Sequence, residues 1–212
     1  LIGIVGVSNE NLLNINQKIA SLTAIQVDSE DKIQVIVDQV IADLRSAAAI
    51  DVIKAFAESN INPAPTVTDY TTAEITGVTV SNIGAVNNAI DAITAAQADT
   101  ANKIQAIVNQ IVADLATAAA IDMIEAFADS NTNPVPAEGH YSGVTSANID
   151  AVNAAVEASS GVFADTTAKI QAIVSSVINS LKALAELIED LNGNANSRLI
   201  TANQLDEIHR VE

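Results

Sequence analysis

The amino-acid sequence predicts an all-α fold, made of tandem helical-hairpin or three-helix-like repeats that form an elongated array. Three observations predict it. A set of short motifs recurs three times along the chain. Within each copy the apolar residues fall at helical rather than strand spacing. The apolar content is also slender: of 212 residues 49% are apolar but only 2% aromatic, with no Trp and a single Met, Met123. Ala, Ile and Val suit closely packed helices, and they make a deep aromatic-lined pocket hard to build.

The recurrence is exact in register over long stretches. Gly6-Val7-Ser8-Asn9-Glu10-Asn11-Leu12 returns as Gly77-Val78-Thr79-Val80-Ser81-Asn82-Ile83 and again as Gly143-Val144-Thr145-Ser146-Ala147-Asn148-Ile149. Lys32–Val37 matches Lys103–Val108 and Lys169–Val174, with the same offsets of 71 and then 66 residues. Ala47–Asp51 matches Ala118–Asp122, and Asn60, Pro63 and Pro65 match Asn131, Pro134 and Pro136, still 71 apart. The five-residue difference therefore lies between Pro65 and Gly77, in a connection, where length changes are tolerated. Ile200–Leu205 resembles Val144–Ile149, as if the pattern restarted. The expected organisation is repeat one over 1–65, repeat two over 66–136, repeat three over 137–196, and the start of a fourth repeat or a C-terminal cap over 197–212. Beginning at Leu1 and ending in a restarted motif, the chain reads as a piece cut from a longer array.

In the middle repeat, Thr79 is the expected N-cap of a first helix near 80–95, with an apolar stripe at Ile83, Val86, Ile90 and Ile93. Asp99-Thr100 opens a second helix through Ile104, Ile107, Ile111 and Leu115 that continues through Ile121, Ile124 and Phe127 to the stop at Asn131–Pro134. That is roughly 30 residues, or about 45 Å at 1.5 Å per residue. In the third repeat Leu181, Leu184, Leu187, Ile188 and Leu191 extend the same helix to Asn192-Gly193. The segment Thr68–Ile75 has room for one short extra helix, and Ile2–Val7, the only strand candidate, reads as a lead-in or helix overhang.

The charge excludes several partners. With 26 acidic against 9 basic residues the net charge is −17. Such a surface repels nucleic acid and anionic lipid, favours solubility, and suits a saline or extracellular setting. There is no cysteine, which removes disulfides, thiolate metal sites and cysteine nucleophiles. No run of 18 or more apolar residues suggests a membrane span, and no signal peptide is recognisable.

Individual residues point to structure more than to chemistry. Asn16, Asn87 and Asn153 share one mid-helix position; the expected role is helix register or plain exposure, and the alternative is a groove lining. Asp28/Lys32, Asp99/Lys103 and Asp165/Lys169 are i,i+4 pairs at a helix start. The acidic residues form no calcium loop, which leaves only Asp69, Glu74 and Glu138 as candidates for a weak ion site. The two histidines, His140 and His209, occupy non-equivalent places and lack metalloprotease spacing; His140 beside Glu138 and Tyr141 is the least bland cluster. No phosphate loop, dinucleotide fingerprint or nucleophile elbow is present. Catalytic, cofactor-binding and metal residues are therefore all expected to be absent, with no enzyme activity. The alanine runs 47–49 and 118–120 read as close-packing positions.

The motif Gly-Val-Thr-x-x-Asn-Ile-x-x-Val-Asn at 77–87 and 143–153, followed by Asp-Thr-x-x-Lys-Ile-Gln-Ala-Ile-Val at 99–108 and 165–174, resembles helical repeats of very large bacterial surface proteins and adhesins. It is loosely similar to the three-helix albumin-binding module of Gram-positive surface proteins, which has a Gly-Val-Ser turn before its middle helix. The ligand contacts of that module are not carried over, because 82–93 lacks its tyrosine and lysine residues. The resemblance implies an extracellular or cell-surface segment that serves as a stalk, a spacer or an adhesion element. The partners it implies are proteins, through self-association or a host or matrix protein, without nucleic acid or membrane insertion. A self-assembling filament or surface-layer subunit and a host-protein-binding module are the alternatives.

Overall fold

A computed structural model describes residues 3–59, 63–130 and 134–191. The restart over 197–212, His209, and the stop residues Asn60, Asn131–Asn133 and Asn192-Gly193 lie outside the described residues. Those described form seven α-helices and four short 3-10 turns, with no strand; Gly3–Val7 is non-helical lead-in.

The same local order is built three times. Helix α1 (Leu12–Ala20), a 3-10 turn (Ala24–Gln26) and the long α2 (Glu30–Glu58) are followed by the short α3 (Val67–Thr72). Then come α4 (Ile83–Asp91), a 3-10 turn (Ala95–Gln97) and the long α5 (Ala101–Ser130). A 3-10 turn (Glu138–His140), α6 (Ile149–Glu157), another turn (Gly161–Phe163) and the long α7 (Thr167–Leu191) complete it.

The Gly-Val-Ser/Thr-x-x-Asn motif is a turn with a specific mechanism. Gly6, Gly77 and Gly143 have φ of 85°, 87° and 80°, the left-handed region that only glycine enters cheaply. Five residues on, the Asn82 side chain donates to the Gly77 carbonyl at 2.8 Å and accepts from the Thr79 N–H at 2.7 Å. Asn11 does the same with Gly6 and Ser8. One amide thus closes the turn before α1 and before α4, and before α6 the Asn148 side chain accepts from the Thr145 N–H at 2.8 Å. The first helix of the middle repeat is correspondingly shorter than the expected 80–95. It starts at Ile83, because Thr79–Asn82 form the turn before it, with the Asn82 and Ile83 N–H groups both on the Thr79 carbonyl, and stops at Asp91, because the chain turns extended at Thr94 and tightens into a 3-10 turn.

A glutamine on each of the first two long helices holds the lead-in. The Gln105 amide accepts from the Thr76 N–H at 2.8 Å and donates to the Thr76 carbonyl at 3.0 Å; Gln34 does the same for Val5. At the helix start, Lys103 Nζ bonds Asp99 and the Ala96 carbonyl, Lys32 bonds Asp28 and the Ile25 carbonyl, and Lys169 bonds Asp165 and the Val162 carbonyl. The ion pairs are about half exposed, so each contributes no more than about 0.2–0.5 kcal/mol. The carbonyl bond matters more for geometry, because it ties the 3-10 turn to the helix it precedes.

The long helices are continuous, with 29 residues in α2, 30 in α5 and 25 in α7. The chain divides into two compact units, Leu1–Ala113 and Asp114–Glu212, a boundary that falls inside α5. In the first unit, Ile15 of α1 packs with Val37 and Val40 in the opening half of α2. The closing half of α2, through Ile53 and Phe56, packs with Tyr70, Val86, Ile90, Ile104 and Val108. In the second unit, Ile124 and Phe127 pack with Tyr141, Val152, Val156 and Val174. A core therefore takes the closing half of one long helix, the next short helix and the opening half of the next long helix. This explains the alanine runs. Ala49 is buried, but Ala47, Ala48, Ala118 and Ala119 are exposed, contrary to the expected close packing, because they lie on the length of helix between one core and the next.

Helix α7 is long and apolar enough, by length and composition, to cross a membrane. In this structure it buries Ile170, Val174 and Val177 in the core of the second unit.

Candidate functional site

The most elaborate polar arrangement joins the linkers to the short helices. In the first unit, the Tyr70 hydroxyl donates to Asn87 Oδ1 at 2.7 Å, and Asn87 Nδ2 donates to the Pro65 carbonyl at 2.9 Å. In the second, the Tyr141 hydroxyl donates to Asn153 Oδ1 at 2.8 Å, and Asn153 Nδ2 donates to the Pro136 carbonyl at 3.0 Å. Tyr70 is 0% exposed, Tyr141 9% and Asn153 7%. Each asparagine thus spends one donor and one acceptor pinning a proline linker and a tyrosine to its helix, so neither Asn87 nor Asn153 is plainly exposed, the second of the two expected readings. Asn16 is exposed, as that expectation allowed, and has no side-chain partner among the described residues.

The tyrosine stands five residues after the second proline in both linkers, at Pro65/Tyr70 and Pro136/Tyr141. The length difference therefore narrows to the stretch between tyrosine and glycine. The longer linker forms α3, which Thr66 and Asp69 open with a reciprocal cap, and the stretch after Tyr70 holds the end of that helix. There Glu74 takes a φ of 62° as the Ile75 N–H closes back on the Tyr70 carbonyl at 2.9 Å, the helix-ending motif usually made with glycine.

Burial raises the pKa of both phenols above the ordinary 10.0. Tyr141 is pushed up to about 12; Tyr70 goes further, through burial first and the adjacent Asp69 carboxylate second. A phenol whose pKa is raised in the folded state gives stability that is complete below the unfolded value and lost as pH rises through the folded one. We expect the tyrosinate absorbance to appear above pH 10, by about pH 12 for Tyr141, together with loss of helical circular dichroism. Ordinary titration of both residues with helix retained would contradict the burial.

The other candidates from the sequence are placed as follows. His140 Nδ1 accepts from the Ala137 N–H at 2.9 Å and so caps its own 3-10 turn. It borders a groove of about 300 Å³ with Tyr141, Ile121 and Gln171. Asp69 is engaged with Thr66, Glu138 sits in the 3-10 turn and Glu74 at the end of α3. Among the described residues no three His, Asp or Glu side chains converge as a metal-holding group. The tyrosine–asparagine pairs are neutral and mutually satisfied, an arrangement that fixes backbone and offers no nucleophile–base pair.

One contact has no sequence signal. The Gly161 N–H donates to Asp129 Oδ1 at 2.6 Å, which ties the end of α5 to the turn after α6. A Cβ at Gly161 would meet that carboxylate at 2.5 Å. A groove of about 610 Å³ in the first unit is lined by Leu22, Ile25, Val35 and Ile36 together with Lys18 and Lys32. Ile25 and Val35 are 71% and 67% exposed.

Among the described residues the fold is all-helical, with polar networks that hold the linkers in place. Comparison with known proteins finds no matching family model, no matching curated protein and no matching solved structure.

Proposed function

We propose that the chain is a structural stalk, spacer or adhesion segment of a bacterial surface protein, built as an elongated array of like helical modules and without catalytic activity. The observation that supports this most is the sharing of long helices: α2 and α5 each give one half to one core and the other half to the next. Modules joined in this way contact their sequence neighbours. The net charge of −17 fits an extracellular, salt-screened setting and disfavours nucleic acid and anionic membranes as partners. Proteins are the partners proposed.

A compact globule of this length would have a radius of gyration of roughly 17 Å. Small-angle scattering is expected to give a clearly larger value at monomer mass. A compact value at monomer mass would remove the stalk reading. A mass many times the monomer would favour the filament or surface-layer subunit instead. The apolar groove at Leu22, Ile25 and Val35 favours a second reading, a module that binds a host or matrix protein.

A further inference from the structure

The three short helices carry the same inward residues, yet their burial differs in one systematic way. Val86, Val152 and Ile15 occupy one position and are all buried, as are Val108, Val174 and Val37 at another. These pairs seal the contact between a short helix and the long helix that follows it. A second set behaves otherwise. Ile90 and Val156 are 0% exposed, but their equivalent Ile19 is half-buried. Ala98 and Ala164 are 0% exposed, but Val27 is half-buried; Ile104 and Ile170 are buried, but Ile33 is half-buried. Asn87 and Asn153 hold a tyrosine and a proline carbonyl, whereas Asn16 is exposed with neither among the described residues.

Elsewhere this second set shares its core with a defined segment. It is the closing half of the preceding long helix, through Ile53 and Phe56 or Ile124 and Phe127, followed by Pro-x-Pro and by a tyrosine five residues later. We infer that the face formed by Asn16, Ile19, Val27 and Ile33 is a docking site for one kind of occupant: a helix–Pro-x-Pro–Tyr segment of a further like module, whose tyrosine hydroxyl and proline carbonyl engage Asn16. This rests on the modular reading above, but on burial and hydrogen bonding rather than on particle shape. The closing half of α7 is not that segment. Asp190 stands where the other two long helices have Ile53 and Ile124, so it lacks the apolar residue that the covering segment presents there.

The test adds a synthetic peptide of residues 47–75 to the full chain, followed by NMR. The expected result is a saturable 1:1 shift of Asn16, Ile19, Val27 and Ile33. Asn16→Ala in the chain, or Tyr70→Phe in the peptide, should weaken binding about three- to tenfold, as loss of hydrogen bonds does. Asn16 is exposed in the free chain, so its replacement leaves the fold intact and the comparison clean. Absence of saturable shifts would overturn the inference. So would shifts centred on Asn87 or Asn153, affinity indifferent to both substitutions, or association of the chain with itself through α1 in place of the peptide. Scattering that shows a compact particle would sink the array while leaving this result to stand or fall alone.

Discussion

Replacing Phe127 with alanine is expected to destabilise the second unit by about 3–5 kcal/mol, the usual loss for a buried phenylalanine. Phe127 is 3% exposed and shares its core with Ile124, Tyr141, Val152, Val156 and Val174. The protein has only three phenylalanines, and its other core residues are small, so little neighbouring bulk can relax into the cavity. At about 4–8 °C per kcal/mol for a segment of this size, the helical signal of the unit would melt more than about 12 °C earlier. Phe163, 64% exposed, is the control, and Phe163→Ala should stay within about 0.5 kcal/mol. Similar losses at both positions, measured by thermal circular dichroism, would show that Phe127 does not organise a core.

The second large effect is expected at Asn153. Asn153→Ala deletes two hydrogen bonds and leaves the Tyr141 hydroxyl and the Pro136 carbonyl facing a buried methyl group. Each orphaned group costs about 1–3 kcal/mol, so about 2–6 kcal/mol in all is expected. Asn16→Ala, at the equivalent position, should be nearly silent because Asn16 is exposed and unpaired among the described residues. A double-mutant cycle of Asn153→Ala with Tyr141→Phe should show strong coupling. Additive losses would mean that the tyrosine and the asparagine act separately.

These two positions also show what the sequence could and could not reveal. The helices were legible because Ile83, Val86 and Ile90, or Ile104, Val108 and Ile111, repeat at helical spacing. The Gly-Val-x-x-x-Asn turn was visible as a motif, though not as a mechanism, since the Asn82 side chain closes the turn on Gly77 five residues back. The pairing of Tyr70 with Asn87 was hidden by the unequal linkers. Aligning on the glycines sets Tyr141 opposite Ile75, whereas aligning on the prolines sets it opposite Tyr70. The constant proline-to-tyrosine spacing was the available signal. The phase of packing was hidden for a different reason: periodicity shows that the apolar stripe continues past Ala118, but not that its two halves face different partners.

The glutamine clamp has a consequence for how such a chain avoids aggregation. Val5 and Thr76 sit in non-helical lead-ins near Ile4, Val7, Ile75 and Val78, and β-branched stretches with open backbone groups are the kind that recruit a passing strand. Gln34 and Gln105 present a primary amide that fills the donor and the acceptor of that residue together. The side chain is a mock strand one peptide long, and it blunts an edge before any sheet can begin on it.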